Sequence, residues 1–405
     1  MSAVMESVAG RSRPWTDGAW TAWRPALSTG FLAATSLEAA LLLVSLVIRF
    51  GSSLPTALVT QRLGVLRIWG QWDWSWYQAI ATSGYAANHT RESFPGVFQD
   101  ATAFAPGYPS AVRAISQAIH IPGIDAGLMI SFACTVTAFI GLYRLAQLGW
   151  DSRVAQTALV LCLIYPGALF LVAPYTEAPL LMCSVWAFLM VRQDRLIIAG
   201  LFVAAATAVK MPWLVILLPG LCVEWLDANG WRLRWRHSRL LLIAGPAVAV
   251  VAVWMLWQWY TFGNPLDFLQ AQGGWTPGFT PFWSVIASDF MASVRDASSG
   301  GLAVWVLRGL DVAALVFFLA MALYVLLRVR RSYGVFLLTG FLIINDSGGN
   351  FISSEVRFLV PFFPLFLGLA LITRRHPRVR LIVAAIWIPL LIMSTGRFVS
   401  ALWAG

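Results

Sequence analysis

Residues 239–260 read RLLLIAGPAVAVVAVWMLWQWY, and no charged side chain follows Arg239 within the stretch. About 20 apolar residues wound at ~1.5 Å each cover the ~30 Å hydrocarbon layer of a bilayer. A helix in a water-soluble core is rarely apolar on every face for so long, so the stretch predicts a membrane crossing. Directly before it stand Arg232, Arg234, Arg236 and Arg239, the type of basic cluster that stays on the cytoplasmic side.

Comparable apolar stretches lie near 31–50, 124–147, 153–170, 175–192, 195–208, 211–225, 301–328, 333–346, 356–373 and 379–400. Those at 195–208, 211–225 and 333–346 fall short of a full crossing, which predicts broken or tilted helices shielded by neighbouring protein. With 59% hydrophobic and 11% charged residues and a mean hydropathy of +0.74, the chain exceeds what a soluble core can absorb. The expected fold is all-α: a polytopic integral membrane protein of about eleven transmembrane helices, one membrane domain over 31–405 after a cytoplasmic tail at 1–30. The tail lacks the apolar segment of a cleavable signal peptide, and no repeat of fixed period is visible.

A net charge of +10 would suggest nucleic acid in a soluble protein. Here the arginines sit in short loops. Placing the N-terminus in the cytoplasm puts Arg232/Arg234/Arg236/Arg239, Arg328/Arg330/Arg331 and Arg374/Arg375/Arg378/Arg380 all inside, so nucleic acid is not an expected partner. Lys210 is the one lysine among 28 basic residues, a bias of GC-rich genomes that points to a bacterial plasma membrane. Cys134, Cys162, Cys183 and Cys222 all fall in apolar segments and read as small hydrophobes.

This orientation leaves three features outside. They are a long loop near 51–123 with an amphipathic helix expected over 55–69, a second loop near 261–300, and the polar turn 345–350. The acids Asp73, Glu92, Asp100, Glu177, Asp267, Asp289, Asp296, Asp346 and Glu355 all map to that side, among few cations: Lys210, Arg295 and Arg357. Opposite charges at a membrane edge pair and line a polar pocket.

Within the first loop, Trp72-Asp73-Trp74-Ser75-Trp76-Tyr77 sets one carboxylate among large aromatics. The plainer alternative is an interfacial aromatic belt in which Asp73 caps a helix. No glycine-rich phosphate loop is present, and His89, His120, His237 and His376 lack metal-ligand spacing, so nucleotide hydrolysis and a structural metal are unsupported. A carboxylate in an aromatic cleft suits the acceptance of a proton from a hydroxyl, a nearby cation suits a phosphate leaving group, and aromatic faces suit a sugar ring or isoprenoid. Together they point to glycosyl transfer from a phosphate-linked, membrane-dissolved sugar. A transporter of lipid-linked saccharide is the rival reading, and it should show repeats and polar residues on both sides.

The motifs also carry a resemblance. Trp72-Asp73, Trp76-Tyr77, Ile80-Ala81 and Gly84-Tyr85 resemble the pattern W-D-x-x-[WH]-[YF]-x-x-I-A-x-x-G-Y, and residues 103–109 (AFAPGYP) resemble A-F-F-P-L-Y-P. Pro174-Tyr175-Thr176-Glu177-Ala178 is similar to P-Y-S-E-S, Val209-Lys210-Met211-Pro212 stands where T-R-P-T is usual, and residues 354–366 are similar to S-x-P-R-Y-x-L-x-x-F-P-L-F. In order and spacing these resemble the PIG-V type of GPI mannosyltransferases and their bacterial relatives, of the GT-C superfamily.

The resemblance implies a GT-C-like helical fold, an extracytoplasmic active site, a polyprenyl-phosphate-mannose donor and inversion in a single displacement; no cofactor is expected beyond that lipid substrate, and a metal requirement stays open. It implies Asp73 as general base, with Lys210 and Arg357 on the donor phosphate. Glu177 would meet an acceptor hydroxyl or pair with Lys210, pairing being favoured. Tyr175, Trp72, Trp76 and Tyr77 are aromatic candidates for substrate contact, His89 for assisting the proton transfer and Asp346 for sugar hydroxyls. The acceptor class stays open among glycolipid, glycan and protein, and another sugar such as arabinose fits the same motifs. Lys210 in place of arginine loses the bidentate fork, and the smaller Ala105 and Gly107 widen the cleft expected for the acceptor.

Overall fold

A computed structural model describes residues 18–51, 65–94, 97–231, 235–274, 301–345 and 354–402. The all-α expectation holds: among these residues the chain is built of helices, apart from one small hairpin in the first loop. Among the described residues, five helical segments are long and apolar enough to cross a bilayer: Trp23–Ile48, Gly123–Gln147, Ser238–Phe262, Gly309–Arg328 and Pro377–Val399.

Helix α1 (Gly18–Gly51) begins well before residue 31, the start expected from hydropathy, and runs on through Pro25. Ala26 is fully buried in that part, so packing sustains the helix ahead of its most apolar stretch, and the segment read as tail is partly helical. Next come α2 (Trp74–Ser83), the antiparallel strands β1 (Arg91–Phe94) and β2 (Val97–Gln99), and α3 (Gly107–Ile119). The amphipathic helix expected over 55–69 falls largely outside the described residues; 65–69 form a single 3-10 turn.

Helices α4 (Gly123–Gln147), α5 (Ser152–Ile164), α6 (Glu177–Arg192), α7 (Leu196–Val209), α8 (Trp213–Asn229) and α9 (Leu241–Phe262) form the central bundle. The apolar stretch 153–170 is not one helix. Pro166 forces Tyr165 into extended backbone, and residues 166–171 continue as a buried 3-10 turn. Helix α6 is buried on nearly every face between α4 and α7, so its 16 residues answer to protein packing rather than to bilayer thickness. Helix α7 packs closely on α9, where a Cβ at Gly200 would collide with the Leu242 carbonyl. The opposite face of α9 leaves Val248, Val253, Leu256, Trp259 and Tyr260 exposed, as a lipid-facing surface does.

The chain closes with α10 (Asp267–Ala271), α11 (Gly301–Arg328), α12 (Arg331–Asn345), α13 (Glu355–Phe358), α14 (Phe363–Arg375) and α15 (Pro377–Val399). Most of the second loop, including Asp289, Arg295 and Asp296, lies outside the described residues, as does Asp346.

Ion pairs gather at the two ends of the bundle. Glu177 opens α6 and Arg192 closes it, roughly 22 Å apart at ~1.5 Å per residue. Around Arg192, buried Glu224 of α8 accepts from Arg192 Nε (2.8 Å), Arg330 Nε (2.7 Å) and the Ser332 hydroxyl. Arg239 pairs with Asp194, and Arg374 with Asp151, at this same end. Around Glu177 gather the groups singled out from the sequence.

Candidate functional site

The site begins at the turn that leads into α2. Trp74 is wedged where a Cβ on Gly70 or Gly127 would stand 2.8 Å from its ring, so only glycine admits it. Trp74 thereby anchors the first turn of α2 against α4. Asp73 precedes this helix, yet its side chain makes no capping hydrogen bond. It accepts instead from Arg357 Nη1 at 2.7 Å, and 26% of its side chain stays exposed. The helix-cap alternative therefore fails.

Arg357 belongs to the short α13 and is buried. Its Nε donates to Glu177 Oε1 at 2.5 Å, so one guanidinium links two carboxylates 180 and 284 positions away in sequence. A cation in an apolar wall requires such compensation. Aromatic faces complete its surroundings: its Cζ lies 4.5 Å from the Tyr175 ring centre, 5.3 Å from Phe170 and 5.6 Å from Phe358. The pairing of Glu177 with Lys210 favoured from the sequence is corrected. Arg357 reaches Glu177 because α13 packs on the 3-10 turn 166–171 just before α6. The second oxygen of Glu177, Oε2, is buried without a hydrogen-bond partner among the described residues.

Lys210 lies in extended backbone between α7 and α8, its Nζ 4.3 Å from the Phe358 ring centre. Burial pushes its ammonium down to about 8; Arg357 adds to this, while Glu177 and Asp73 oppose it. The site thus unites Asp73, Glu177, Arg357 and Lys210, which come from four separate segments.

The aromatic candidates divide by role. Tyr77 meets Tyr108 at 4.9 Å and Phe104 at 5.3 Å, both edge-on, and Trp76 stacks on Phe104 at 5.6 Å, so these rings build the wall beside Asp73. Tyr175 is fully buried, its hydroxyl donating to the Gln71 carbonyl at 2.7 Å. Trp72 is 40% exposed at the rim. Sequence reasoning did not single out Phe170, Phe358 or Tyr108; Tyr108 and Phe358 stand in the quoted motifs at 103–109 and 354–366, whereas no local signal separates Phe170 from ordinary packing.

His89 is engaged elsewhere. Its Nε2 lies 2.9 Å from Asp267 Oδ2 and 3.4 Å from Asp100 Oδ2, and its ring stacks on Phe262 at 4.3 Å. It fastens the first loop to the end of α9 and to α10, an assignment different from the assistance to proton transfer expected. Partial burial pushes the Asp100 carboxyl up, but hydrogen bonds from Thr102 and Thr90, with His89 beside it, hold it below its ordinary value. Asp346 lies outside the described residues. No group of three or more His, Cys, Asp or Glu side chains among those residues could hold a metal ion.

An apolar cavity of about 570 Å³ adjoins this wall, lined by Tyr85, Pro106, Val250, Trp254 and Trp257 among others. The Tyr85 hydroxyl donates to the Phe104 carbonyl at 3.0 Å, and a Cβ on Gly107 would stand 2.7 Å from the Ala208 carbonyl, just ahead of Lys210.

A helical integral membrane protein with a charged, aromatic-walled site at one end is the class these observations define. Residues 106–257 match the profile of the family described as dolichyl-phosphate-mannose-protein mannosyltransferase. The matched segment takes in Tyr175, Glu177 and Lys210 and leaves Asp73 and Arg357 outside. The chain is 28% identical over 136 residues to GPI mannosyltransferase 2 of Chaetomium globosum, covering 29% of this chain and 26% of that protein. It is 29% identical over 132 residues to GPI mannosyltransferase 2 of Gibberella zeae, covering 32% and 27%. The chain thus spans about a quarter of the length of these relatives.

Among solved structures, the apo oligosaccharyltransferase of Archaeoglobus fulgidus is similar at a TM-score of 0.43 and 15% identity, covering 92% of this chain and 56% of that one. The profile match and the two fungal relatives bear out the resemblance read from the motifs: over these segments the chain is similar to mannosyltransferases.

Proposed function

We propose that this protein is a membrane glycosyltransferase that moves mannose from a polyprenyl-phosphate donor to a hydroxyl on the extracytoplasmic side, with inversion. The single observation that carries the proposal is the 2.7 Å contact between Asp73 and Arg357 in a site that also holds Lys210. Here a proton acceptor and two cations suited to a leaving phosphate converge beneath an aromatic wall.

In the reaction, Asp73 takes the proton from the acceptor hydroxyl, and the freed oxygen forms a bond to the anomeric carbon as the carbon–oxygen bond to phosphate breaks. Polyprenyl phosphate departs with the bonding pair, its charge met by Arg357 and Lys210. Without substrate, Arg357 is bound to Asp73. The donor phosphate competes for the guanidinium and frees the carboxylate to act as base. Glu177 keeps Arg357 in place throughout, while its unpartnered Oε2 is suited to receive a sugar hydroxyl. The isoprenoid chain rests in the apolar cavity beside α9. The arginine-rich end of the bundle faces the cytoplasm, an orientation that leaves the site outside.

The test is incubation of the purified protein in liposomes with radiolabelled mannosyl-, arabinosyl- and glucosyl-phosphoryl-polyprenols. A lipid and glycan extract of the membranes of the producing organism serves as acceptor. The expected result is a labelled product from the mannosyl donor, absent with Asp73→Asn. Transfer from none of the donors, or equal transfer by Asp73→Asn, would refute the proposal. Net movement of intact lipid-linked sugar across the bilayer, with no product formed, would establish the transporter reading instead.

A further inference from the structure

The turn before Asp73 holds a backbone conformation its residues do not favour. Trp72 has φ +52, in the left-handed region, where a bulky side chain crowds the main chain. Something must hold the turn in place, and two contacts converge on it. The Gln71 carbonyl accepts from the Trp74 amide at 3.1 Å, which closes the turn, and from the Tyr175 hydroxyl at 2.7 Å, which ties it to the segment leading into α6.

Packing fixes the Tyr175 ring independently of that hydroxyl. Phe170 lies at 5.3 Å, Phe398 at 5.8 Å and Tyr77 at 6.3 Å, and the ring face lies 4.5 Å from the Arg357 guanidinium. One side chain therefore touches both halves of the Asp73–Arg357 pair, the turn through its oxygen and the cation through its ring.

We infer that Tyr175 is a positioning residue: its hydroxyl straps the strained Gln71-Trp72-Asp73 turn so that Asp73 faces the acceptor, and its ring seats Arg357 for the donor phosphate. This replaces the direct substrate contact expected of Tyr175 from the sequence. It rests on the reading of Asp73 as general base.

The two functions separate by substitution. Tyr175→Phe keeps the ring and removes the strap, whereas Tyr175→Leu removes both. In the liposome assay with mannosyl-phosphoryl-polyprenol, Tyr175→Phe is expected to lower kcat roughly tenfold, the effect of one well-placed hydrogen bond, with donor KM unchanged. Tyr175→Leu is expected to lower kcat similarly and also raise donor KM. Glycine adopts the left-handed turn without strain, so Trp72→Gly added to Tyr175→Phe should recover part of the lost kcat.

Wild-type kcat in Tyr175→Phe, or a loss in which KM rises along with kcat falling, would overturn the strap. So would the absence of recovery in the double variant. If the wild-type protein transfers sugar and Tyr175→Phe is unaffected, this inference fails alone. If the wild-type protein transfers nothing from any donor, the enzymatic reading fails and takes this inference with it.

Discussion

Asp73 keeps 26% of its side chain open, while the Arg357 bound to it is 4% exposed. The cation is therefore enclosed by protein while the carboxylate stays accessible, as the proposed roles of phosphate clamp and base require. Exchanging this carboxylate for an amide removes general-base catalysis, commonly ~10²–10⁴ in rate, while Glu177 still compensates Arg357. Asp73→Asn should accordingly lower kcat by about that factor with an unchanged thermal midpoint. Lys210 supplies a pH signature. Burial lowers its ammonium to about 8, so the group is charged below that pH and neutral above it. Donor affinity should weaken as pH rises through about 8, and Lys210→Arg, whose guanidinium stays protonated, should abolish the dependence; titration of donor KM against pH checks both.

At the scale of elements, the short α13 has two faces of opposite character. Arg357 projects to the site, whereas Glu355 is buried and has an oxygen, Oε2, without a partner among the described residues. Burial, with Asp311 adding to it, pushes the Glu355 carboxyl up to about 8. Such a group binds a proton in the folded state that the unfolded chain releases near its ordinary value. Its contribution to stability is complete below that value and is lost as pH climbs through about 8. Thermal melts in detergent between about pH 5 and pH 9 should show this loss, and Glu355→Gln should flatten it. Elements were unevenly legible in the sequence. The runs that became α4, α9 and α15 were plain because lipid demands length and uniform apolarity. The break at Pro166, the early start of α1 and the β1–β2 hairpin depend on local backbone preference and on partners that hydropathy does not weigh.

At the scale of the whole molecule, two polar knots tie opposite ends of one bundle. The knot at Glu224 joins α6, α8 and the α11–α12 corner through Arg192, Arg330 and Ser332. Removing one partner of a buried ionic cluster commonly costs about 3–5 kcal/mol, so Glu224→Ala should lower the thermal midpoint markedly while donor KM in the surviving folded protein is unchanged. Orientation is open to direct test. Ser83 and Ala228 are exposed at the site end and the arginine-rich end respectively. With the native cysteines replaced, Ser83→Cys should react with a membrane-impermeant thiol reagent applied outside intact cells, and Ala228→Cys only after permeabilisation. The reverse pattern would invert the topology.

The membrane class and the motif carrying Asp73 were both readable from the chain by itself, because each follows from composition, order or spacing along the sequence. The partner of Asp73 was not. Arg357 was expected on the donor phosphate and Glu177 beside Lys210, but only the packing of α13 against the turn before α6 joined Arg357 to both carboxylates. The contacts of Tyr175 with Gln71 and of His89 with Asp267 escaped sequence reading for the same reason. Which carboxylate a cation reaches, and which carbonyl a hydroxyl finds, depends on distances of a few ångström between segments far apart in sequence, and those distances exist only once the helices have packed.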